Sequence, residues 1–261
     1  MKKLIVLISA GVKTSFQFRF KVITDIIFNG VYLFILYFVW KAIYVFQPSI
    51  EGSTFHETYA YIALATVISF LFTSRTDWKM SLKVMDGTII SYYFRPIPIF
   101  LQFFMESIGS VIIQFFSLVC PVVILLVTFG FTNIGINLPF FMIALLMGFV
   151  ISFSFDYMIG TVSFYTESLW GIIMFKSTLV AFLSGSLMPL KFYPEYLQDI
   201  IAWLPFRAII SLPLEIILGR NIQIDTIMEY LGIQLFWMVI IINCALFVYK
   251  RLERVLTING G

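Results

Sequence analysis

The sequence predicts an all-α integral membrane protein with six transmembrane helices, organised as a single domain over residues 1–261. Of its residues, 61% are hydrophobic and only 12% are charged, with a mean hydropathy of +0.99. A soluble domain carries about 25% charged residues, so this composition excludes one of any size. The basic residues gather beside apolar runs, where they act as topology signals. The formal net charge of +3 gives no reason to expect a nucleic-acid partner.

Six hydrophobic runs are predicted to cross the bilayer as helices, since a crossing needs about 20 mostly apolar residues. The second run is short, and the third is long with Pro121 inside it, which predicts a kink or a broken helix. The six runs are Val22–Phe46, Thr58–Thr73, Ile99–Phe131, Leu138–Tyr165, Leu169–Leu187 and Tyr230–Tyr249.

Two further stretches are too short or too polar to span. Residues 1–21 have an apolar core of about seven residues with basic residues close behind, which favours an interfacial amphipathic helix over a cleaved signal peptide. Residues 188–220, called here the hairpin segment, are cut by prolines into pieces about half as long as a crossing requires. They are interpreted as surface helices or as a re-entrant hairpin packed against the other helices. The prolines are Pro189, Pro194, Pro205 and Pro213.

The polar segment from Arg75 to Pro98 is predicted to begin as a short amphipathic helix. A basic stripe at helical spacing is formed by Arg75, Lys79 and Lys83, with an apolar stripe beside it. Gly87 loosens the helix, and Pro96 and Pro98 mark the entry into the third run. The apolar stripe contains Trp78, Leu82, Met85 and Ile89.

The distribution of basic residues predicts the orientation in the membrane. With six spans and both termini on one side, that side holds thirteen of the 17 Lys and Arg residues and the other side holds four. The rule that cytoplasmic loops are enriched in basic residues then places both termini and the Arg75–Pro98 segment in the cytoplasm.

The sequence lacks the motifs of catalysis. It has no phosphate-binding loop, no nucleophile elbow and no zinc-protease helix, and it has one histidine and two cysteines. We therefore expect no enzyme activity, no metal and no cofactor in this chain. Two acids, Glu106 and Asp156, fall inside hydrophobic runs, where a charge costs about 2.5–3.5 kcal/mol on insertion scales. Each is interpreted either as a structural hydrogen-bonding group or as the lining of a polar translocation path.

Several short motifs, in this order and spacing, resemble the membrane subunit of type-2 ABC exporters. Within that group the chain is most similar to the daunorubicin-resistance-like permeases of about the same length. The matching stretches cover nearly the whole chain. They are DGTIISYYFRPIP (Asp86–Pro98), SGSLMPLKFYP (Ser184–Pro194), LPF (Leu204–Phe206), PLEIILG (Pro213–Gly219) and NGG (Asn259–Gly261).

The resemblance implies a permease that works with a separate cytosolic ATPase, present in two copies, which binds the ATP and Mg. It also implies pairing with a second permease, often a different one, while a homodimer stays open. Residues 74–98 would form the cytoplasmic coupling helix, with Arg75, Asp77, Trp78, Lys79 and Lys83 facing the ATPase or the headgroups. In the same way, Gly87, Arg95 and Pro96 would shape the return into the third span.

The resemblance further implies that the hairpin segment forms paired short helices in the outer leaflet and helps to close the exit. A bacterial inner membrane is implied as the location. Two alternatives remain open: a stand-alone proton-coupled carrier or small channel using Glu106 and Asp156, and a non-transporting scaffold or immunity protein. The substrate is left open among drugs, peptides, lipids and glycan precursors.

Overall fold

The computed structural model describes residues 19–72, 74–128, 137–166, 168–219 and 222–259. The expected interfacial helix of residues 1–21 lies almost wholly outside these ranges, as do the two final glycines, Gly260 and Gly261.

The described residues fold into α-helices joined by short connections. Apart from an isolated bridge between Ile50 and Ser53, they contain no β-structure. Two 3-10 turns, Val162–Phe164 and Leu190–Phe192, complete the secondary structure. The helices are α1 Arg19–Phe46, α2 Phe55–Leu71, α3 Thr76–Met85, α4 Ile90–Tyr93, α5 Ile99–Thr128, α6 Leu138–Thr161, α7 Trp170–Leu183, α8 Glu195–Ala202, α9 Ser211–Leu218 and α10 Ile224–Asn259.

Within the described ranges, four segments are long and apolar enough to cross a membrane: Ile27–Phe46, Phe55–Met85, Leu138–Phe164 and Ile224–Arg251. The second of them consists of two separate helices, α2, which ends at Leu71, and the more polar α3, which begins at Thr76. Two shorter apolar helices, Ile99–Ile112 and Trp170–Leu183, accompany them. The all-helical membrane character is thus confirmed.

Contacts between helix ends define two ends of the bundle. The α1–α2 connection is closed by Tyr44, whose hydroxyl lies 2.6 Å from Thr58 Oγ1 and donates to the Ser53 carbonyl at 3.2 Å. A capping box between Thr54 and Glu57 starts α2. We call this the Ser53 end. The opposite end, where α3 packs against the last turn of α6, is called the Asp77 end.

The core forms around α6, whose side chains Ile151, Phe153 and Tyr157 are completely buried. Helices α3, α5, α9 and α10 surround it. The outward faces instead carry large apolar residues; on α1, Phe28 is 72% exposed and Phe46 is 88% exposed. Such a surface suits a lipid environment, in which apolar side chains need not be hidden from water.

The hairpin segment is anchored deep in the bundle at its tip, Ala208–Ile209. Gln234 of α10 donates from Nε2 to the Ala208 carbonyl at 2.7 Å and to the Ala144 carbonyl of α6 at 3.1 Å. At Gly148 of α6, an added Cβ would lie 2.7 Å from the Ile209 carbonyl oxygen. The backbones therefore approach so closely that only glycine fits there. From the tip, α9 returns through the core with Leu212 and Leu214 completely buried.

Replacing Gly148 by alanine is expected to destabilise this anchor. The new methyl group would meet a backbone oxygen that cannot rotate away, and overpacking of this kind costs about 1–3 kcal/mol. The matched control is Gly232→Ala in α10, where nothing lies within 4 Å of an added Cβ. Thermal unfolding in detergent should show a lower melting temperature for Gly148→Ala and no loss for Gly232→Ala. Equal melting temperatures would refute the close approach.

Three of the differences from the predicted boundaries have a local physical cause or decide between alternatives. The third predicted span, α5, continues as a helix through Pro121, so the alternative of a broken helix is wrong. Helix α2 begins at Phe55, ahead of the predicted Thr58, because the capping box fixes its start. Helix α10 spans Ile224–Asn259, because the polar residues beyond Tyr249 continue the helix.

Candidate functional site

Local sequence signals set the limits of α3. Arg75 precedes it in the left-handed conformation with φ +48°, an unusual backbone for a residue with a side chain. Asp77 lies in the first turn, where its Oδ1 accepts from the Trp78 amide at 2.7 Å. Its negative charge is stabilised there by the positive N-terminal end of the helix dipole. Gly87, with φ +69°, ends the helix and its amide donates to the Val84 carbonyl at 3.1 Å.

Helix α3 packs with its small and polar face inwards. The buried residues are Thr76, Asp77, Met80 and Ser81. They lie against the last turn of α6 at Gly160, where an added Cβ would stand 3.1 Å from the Asp77 Cα and 3.1 Å from the Met80 Cβ. Glycine at this position lets the two helices touch along their backbones.

The apolar stripe of α3 faces outwards. Trp78 is 41%, Leu82 is 42% and Met85 is 61% exposed, although an amphipathic helix usually buries such residues. Ile89, the fourth predicted member, does not share this face. The helix ends at Met85, and Ile89 is buried beyond the Gly87 turn with 3% exposure. The three residues Trp78, Leu82 and Met85 are called the α3 stripe.

A charged cluster ties α3 to α6 and α7. Lys176 of α7 donates from Nζ to Asp77 Oδ2 and, at 2.6 Å, to Asp156 Oδ1 of α6. Ser74 donates from Oγ to Asp156 Oδ2 at 2.6 Å. These four residues, Ser74, Asp77, Asp156 and Lys176, are called the Lys176 cluster.

All four carboxylate oxygens of the Lys176 cluster accept a hydrogen bond, the fourth coming from the Trp78 amide. Asp77 is 2% and Asp156 is 6% exposed. A buried carboxylate is stable only when it is paired and hydrogen-bonded, and here one ammonium serves two of them. The cluster therefore depends on Lys176 more than on either acid.

The meeting of these residues follows from helix geometry. Asp156 lies five residues before the end of α6, and Lys176 lies six residues after the start of α7. At 1.5 Å per residue both are about 8–9 Å from the same end of the bundle. The pairing of Lys176 with Asp77 and Asp156 was not predicted from the sequence. The missed signal was an isolated lysine in one apolar run following an isolated aspartate in the preceding run.

Three members of the Lys176 cluster, Asp77, Asp156 and Lys176, line a cavity of about 490 Å³, called the small cavity. Its other walls come from the end of α2, from Trp78 and from the α6 and α7 faces. Within α7 only Ile173, in the first turn, is buried, so the rest of this helix is weakly packed. At its other end, the Phe182 carbonyl accepts from the Tyr193 hydroxyl at 2.9 Å. Helix α7 thus connects α3 to the hairpin segment.

Glu106, the other acid predicted inside a hydrophobic run, stabilises the segment between α4 and α5, called the return segment. The Tyr92 hydroxyl donates to Glu106 Oε1 at 2.8 Å, and the Arg95 Nη1 lies 4.0 Å from the same oxygen. Gln102 is completely buried and donates to the carbonyls of Tyr92 and Ile97. Burial and the Glu106 charge raise the pKa of Tyr92, so its hydroxyl stays protonated as the donor. This arrangement favours the structural interpretation of Glu106.

Removing that donor is expected to weaken the return segment. Tyr92→Phe removes the phenol donor from the Glu106 carboxylate, and a hydrogen bond to a charged group contributes about 1.5–3 kcal/mol. The control is Tyr196→Phe on α8, a residue 65% exposed. Detergent-monitored unfolding should show a loss for Tyr92→Phe alone. An unchanged midpoint for both variants would show that the Tyr92–Glu106 bond contributes nothing.

The remaining predicted site residues take varied positions. Lys83 lies over the Tyr92 ring with its Nζ 4.9 Å from the centroid, and Arg95 lies over the same ring at 5.0 Å. Lys79 is half-buried, and Arg75 and Pro96 are exposed. Of the hairpin prolines, Pro189 and Pro194 directly precede short helices, Pro205 lies in the turn before the tip, and Pro213 lies in the first turn of α9. In the described ranges no group of His, Cys, Asp and Glu is arranged to hold a metal ion.

The sequence matches none of the curated proteins. It does match the family model described as ABC-2 family transporter protein over residues 31–260, which is most of the chain. That range contains the whole described bundle from Val31 onwards, with α3, the Lys176 cluster and the hairpin segment. The chain therefore belongs to the ABC-2 family of transporter proteins, as a multi-pass membrane permease of an ABC transporter.

Proposed function

We propose that this chain is the permease of an ATP-driven exporter, with α3 as the helix that docks on a separate cytosolic ATPase. The observation that carries the proposal is the outward-facing α3 stripe, Trp78, Leu82 and Met85. Apolar residues at positions i, i+4 and i+7 are the anchors with which a helix binds in a groove of a partner. The family match supports an ABC transporter as the setting.

The proposed topology has six spans, with both termini and the Asp77 end in the cytoplasm of a bacterial inner membrane. The excess of basic residues on that side supports it. Helix α7 has 14 residues and is about 21 Å long, so its flanking residues must complete its crossing. Residues 1–261 form one domain in this proposal, which includes the interfacial helix of residues 1–21.

The hairpin segment is proposed to be re-entrant from the outer side. Its tip meets Gln234 and Gly148, each ten residues from the Ser53-end start of its helix, which is about 15 Å. That depth is half of a hydrocarbon core of about 30 Å. The backbone at the tip is satisfied by protein, as irregular backbone at membrane depth requires.

The proposed coupling runs from the ATPase through α3 to the rest of the permease. ATP binding moves α3, and the Lys176 cluster passes this movement to α7, which is weakly packed otherwise. Since the last turn of α7 is hydrogen-bonded to Tyr193 through the Phe182 carbonyl, its displacement reaches the hairpin segment and the outward exit. Asp77 is buried and faces Lys176, so its proposed role is to transmit movement, while the docking surface is the α3 stripe with Arg75, Lys79 and Lys83 beside it.

The proposed transporter is an assembly of four subunits. Two copies of the ATPase, which hold the ATP and Mg, act on a pair of permeases, either two different chains or two copies of this one. The motif order supports the daunorubicin-resistance-like group as the subfamily. The substrate stays open.

The direct test is co-purification from the native host. The tagged chain, extracted in mild detergent, should carry an ABC ATPase in equal amount. Vesicles reconstituted with this complex should move substrate across their membrane only with ATP. Isolation without an ATPase would contradict the proposal, as would transport driven by a proton gradient and abolished by Asp156→Asn, since that outcome describes a carrier.

A further inference from the structure

A second, larger cavity lies at the Ser53 end, apart from the Lys176 cluster. Its volume is about 980 Å³, at the top of the range of about 300–1,000 Å³ that small-molecule sites occupy. It opens between the start of α2, the hairpin segment and the start of α10. It reaches from Gly52 to Leu64, which is nine residues, or about 13 Å, along α2 from its start at Phe55.

An ion pair faces this cavity next to the hairpin tip. Arg207 donates from Nη2 to Glu215 Oε2 at 3.0 Å, and Ser211 donates to Glu215 Oε1 at 2.8 Å. The Arg207 guanidinium lies 5.6 Å from the Tyr230 ring centroid. Both charged side chains keep about a quarter to a third of their surface exposed, 26% and 30%. Ionisable residues at this depth are costly, and they usually mark a ligand or ion path.

The geometry leaves donor capacity on Arg207. Glu215 uses both carboxylate oxygens, while the hydrogen bonds found among the described residues engage one of the five guanidinium N–H groups. Those other N–H groups suit a phosphate or carboxylate, which a guanidinium binds in a fork. Lys191, whose Nζ donates to Ser53 Oγ, adds a second cation to the cavity wall.

The cavity wall carries both signs of charge. Its cations are Lys191 and Arg207, and its acids are Glu57, Asp199 and Glu215. An anionic ligand would meet three carboxylates, and a cationic ligand would meet two cations, so each would lose part of its attraction to repulsion. A ligand with both charges could pair with both. Apolar side chains form another part of the wall, among them Leu64, Leu218 and Ile222.

We propose that this cavity binds an amphiphile with a zwitterionic phosphoethanolamine headgroup. Its phosphate would lie on Arg207 and Lys191, its ammonium on Glu215 and Asp199, and its acyl chain against the partly exposed Leu218 and Ile222. A resident membrane phospholipid and an exported amphiphile both have this chemistry. The site belongs to this chain alone, so the proposal does not require the ATPase.

The test measures binding to the purified, delipidated full-length chain by native mass spectrometry. The probes are dihexanoyl-phosphatidylethanolamine and dihexanoyl-phosphatidylglycerol. Both carry the phosphate, and only the ethanolamine lipid carries an ammonium group. We expect the ethanolamine lipid to bind about tenfold more tightly or better, a difference of about 1.4 kcal/mol. Equal binding of both headgroups, or preference for phosphatidylglycerol, would overturn the proposal.

Variants locate the site. Arg207→Gln with Glu215→Gln removes both charges while keeping the side-chain shapes, so the double variant avoids an unpaired acid and should lose the ethanolamine preference. The control is Lys41→Gln, a lysine on the Tyr37 ring at the same end that does not line the cavity. If the folded double variant keeps the preference, the proposal is wrong. If Lys41→Gln loses the preference as well, the effect is a general one of surface charge, and the proposal is equally overturned.

A final arm separates the two sources of such an amphiphile. In vesicles containing the chain and its ATPase, a labelled phosphatidylethanolamine that changes leaflet only with ATP identifies the ligand as exported cargo. Binding without ATP-dependent transfer identifies a resident lipid. Both outcomes support the site, and its failure is visible in the binding experiment whatever the ATPase does.

Discussion

Lys176→Met is expected to be the most destabilising single substitution at the Lys176 cluster. It leaves the carboxylates of Asp77 and Asp156 buried side by side without their common cation. Breaking a buried pair by removing one partner costs about 3–5 kcal/mol, because an uncompensated charge is left behind. The free energy of unfolding, measured by denaturant titration in mixed micelles, should fall by that amount.

The design of the control follows from the same physics. Lys41→Met removes an exposed lysine at the Ser53 end and should change stability by no more than about 0.5 kcal/mol. Adding Asp77→Asn and Asp156→Asn to Lys176→Met removes the two charges, so this triple variant should recover most of the lost stability. A Lys176→Met protein as stable as the unmodified chain would contradict the cluster.

Leu82→Glu is expected to abolish docking of the ATPase while leaving the permease folded. Leu82 lies in the middle of the exposed α3 stripe, so a carboxylate there costs the free chain little. In a complex it would be buried against apolar groups without a partner, and central interface residues dominate binding. The amount of co-purified ATPase should fall by about tenfold or more, which corresponds to about 1.4 kcal/mol.

Ile200→Glu provides a matched control for Leu82→Glu. Ile200 is 55% exposed on α8, at the opposite end of the bundle, and receives the same change of chemistry. It should retain the ATPase. If both variants lose the ATPase, the effect is one of stability, and if both retain it, the α3 stripe is not the docking surface. Size-exclusion profiles and melting temperatures of the two variants should match.

The sequence predicted α3 as a helix but not its orientation. Helical spacing put Trp78, Leu82 and Met85 on one face, and the structure keeps them together. Spacing alone predicts burial of the apolar face, and the structure buries the polar one. The reason lies 99 residues away: Lys176 stabilises Asp77 inside the bundle, and Gly160 lets α3 approach. Long-range pairing of this kind has no local pattern.

The same limit applies to the hairpin segment. The prolines correctly indicated short pieces, such as the eight-residue helices α8 and α9. The contact of Ala208 with Gln234 could not be predicted, because a single glutamine in an apolar run does not indicate its partner. Composition was sufficient for the membrane class, since 61% hydrophobic residues cannot be accommodated in a soluble domain of this size.

The most direct test of the proposed coupling is a distance measurement across the Lys176 cluster. Spin labels are placed at Phe175→Cys on α7 and Leu146→Cys on α6, both exposed positions, after Cys120 and Cys244 are changed to serine. Pulsed electron resonance then measures the label separation in the ATPase complex with and without ATP. We predict a shift with ATP when the cluster is intact, and none in the triple variant Asp77→Asn, Asp156→Asn, Lys176→Met. The same ATP-dependent shift in both proteins would contradict transmission through the Lys176 cluster.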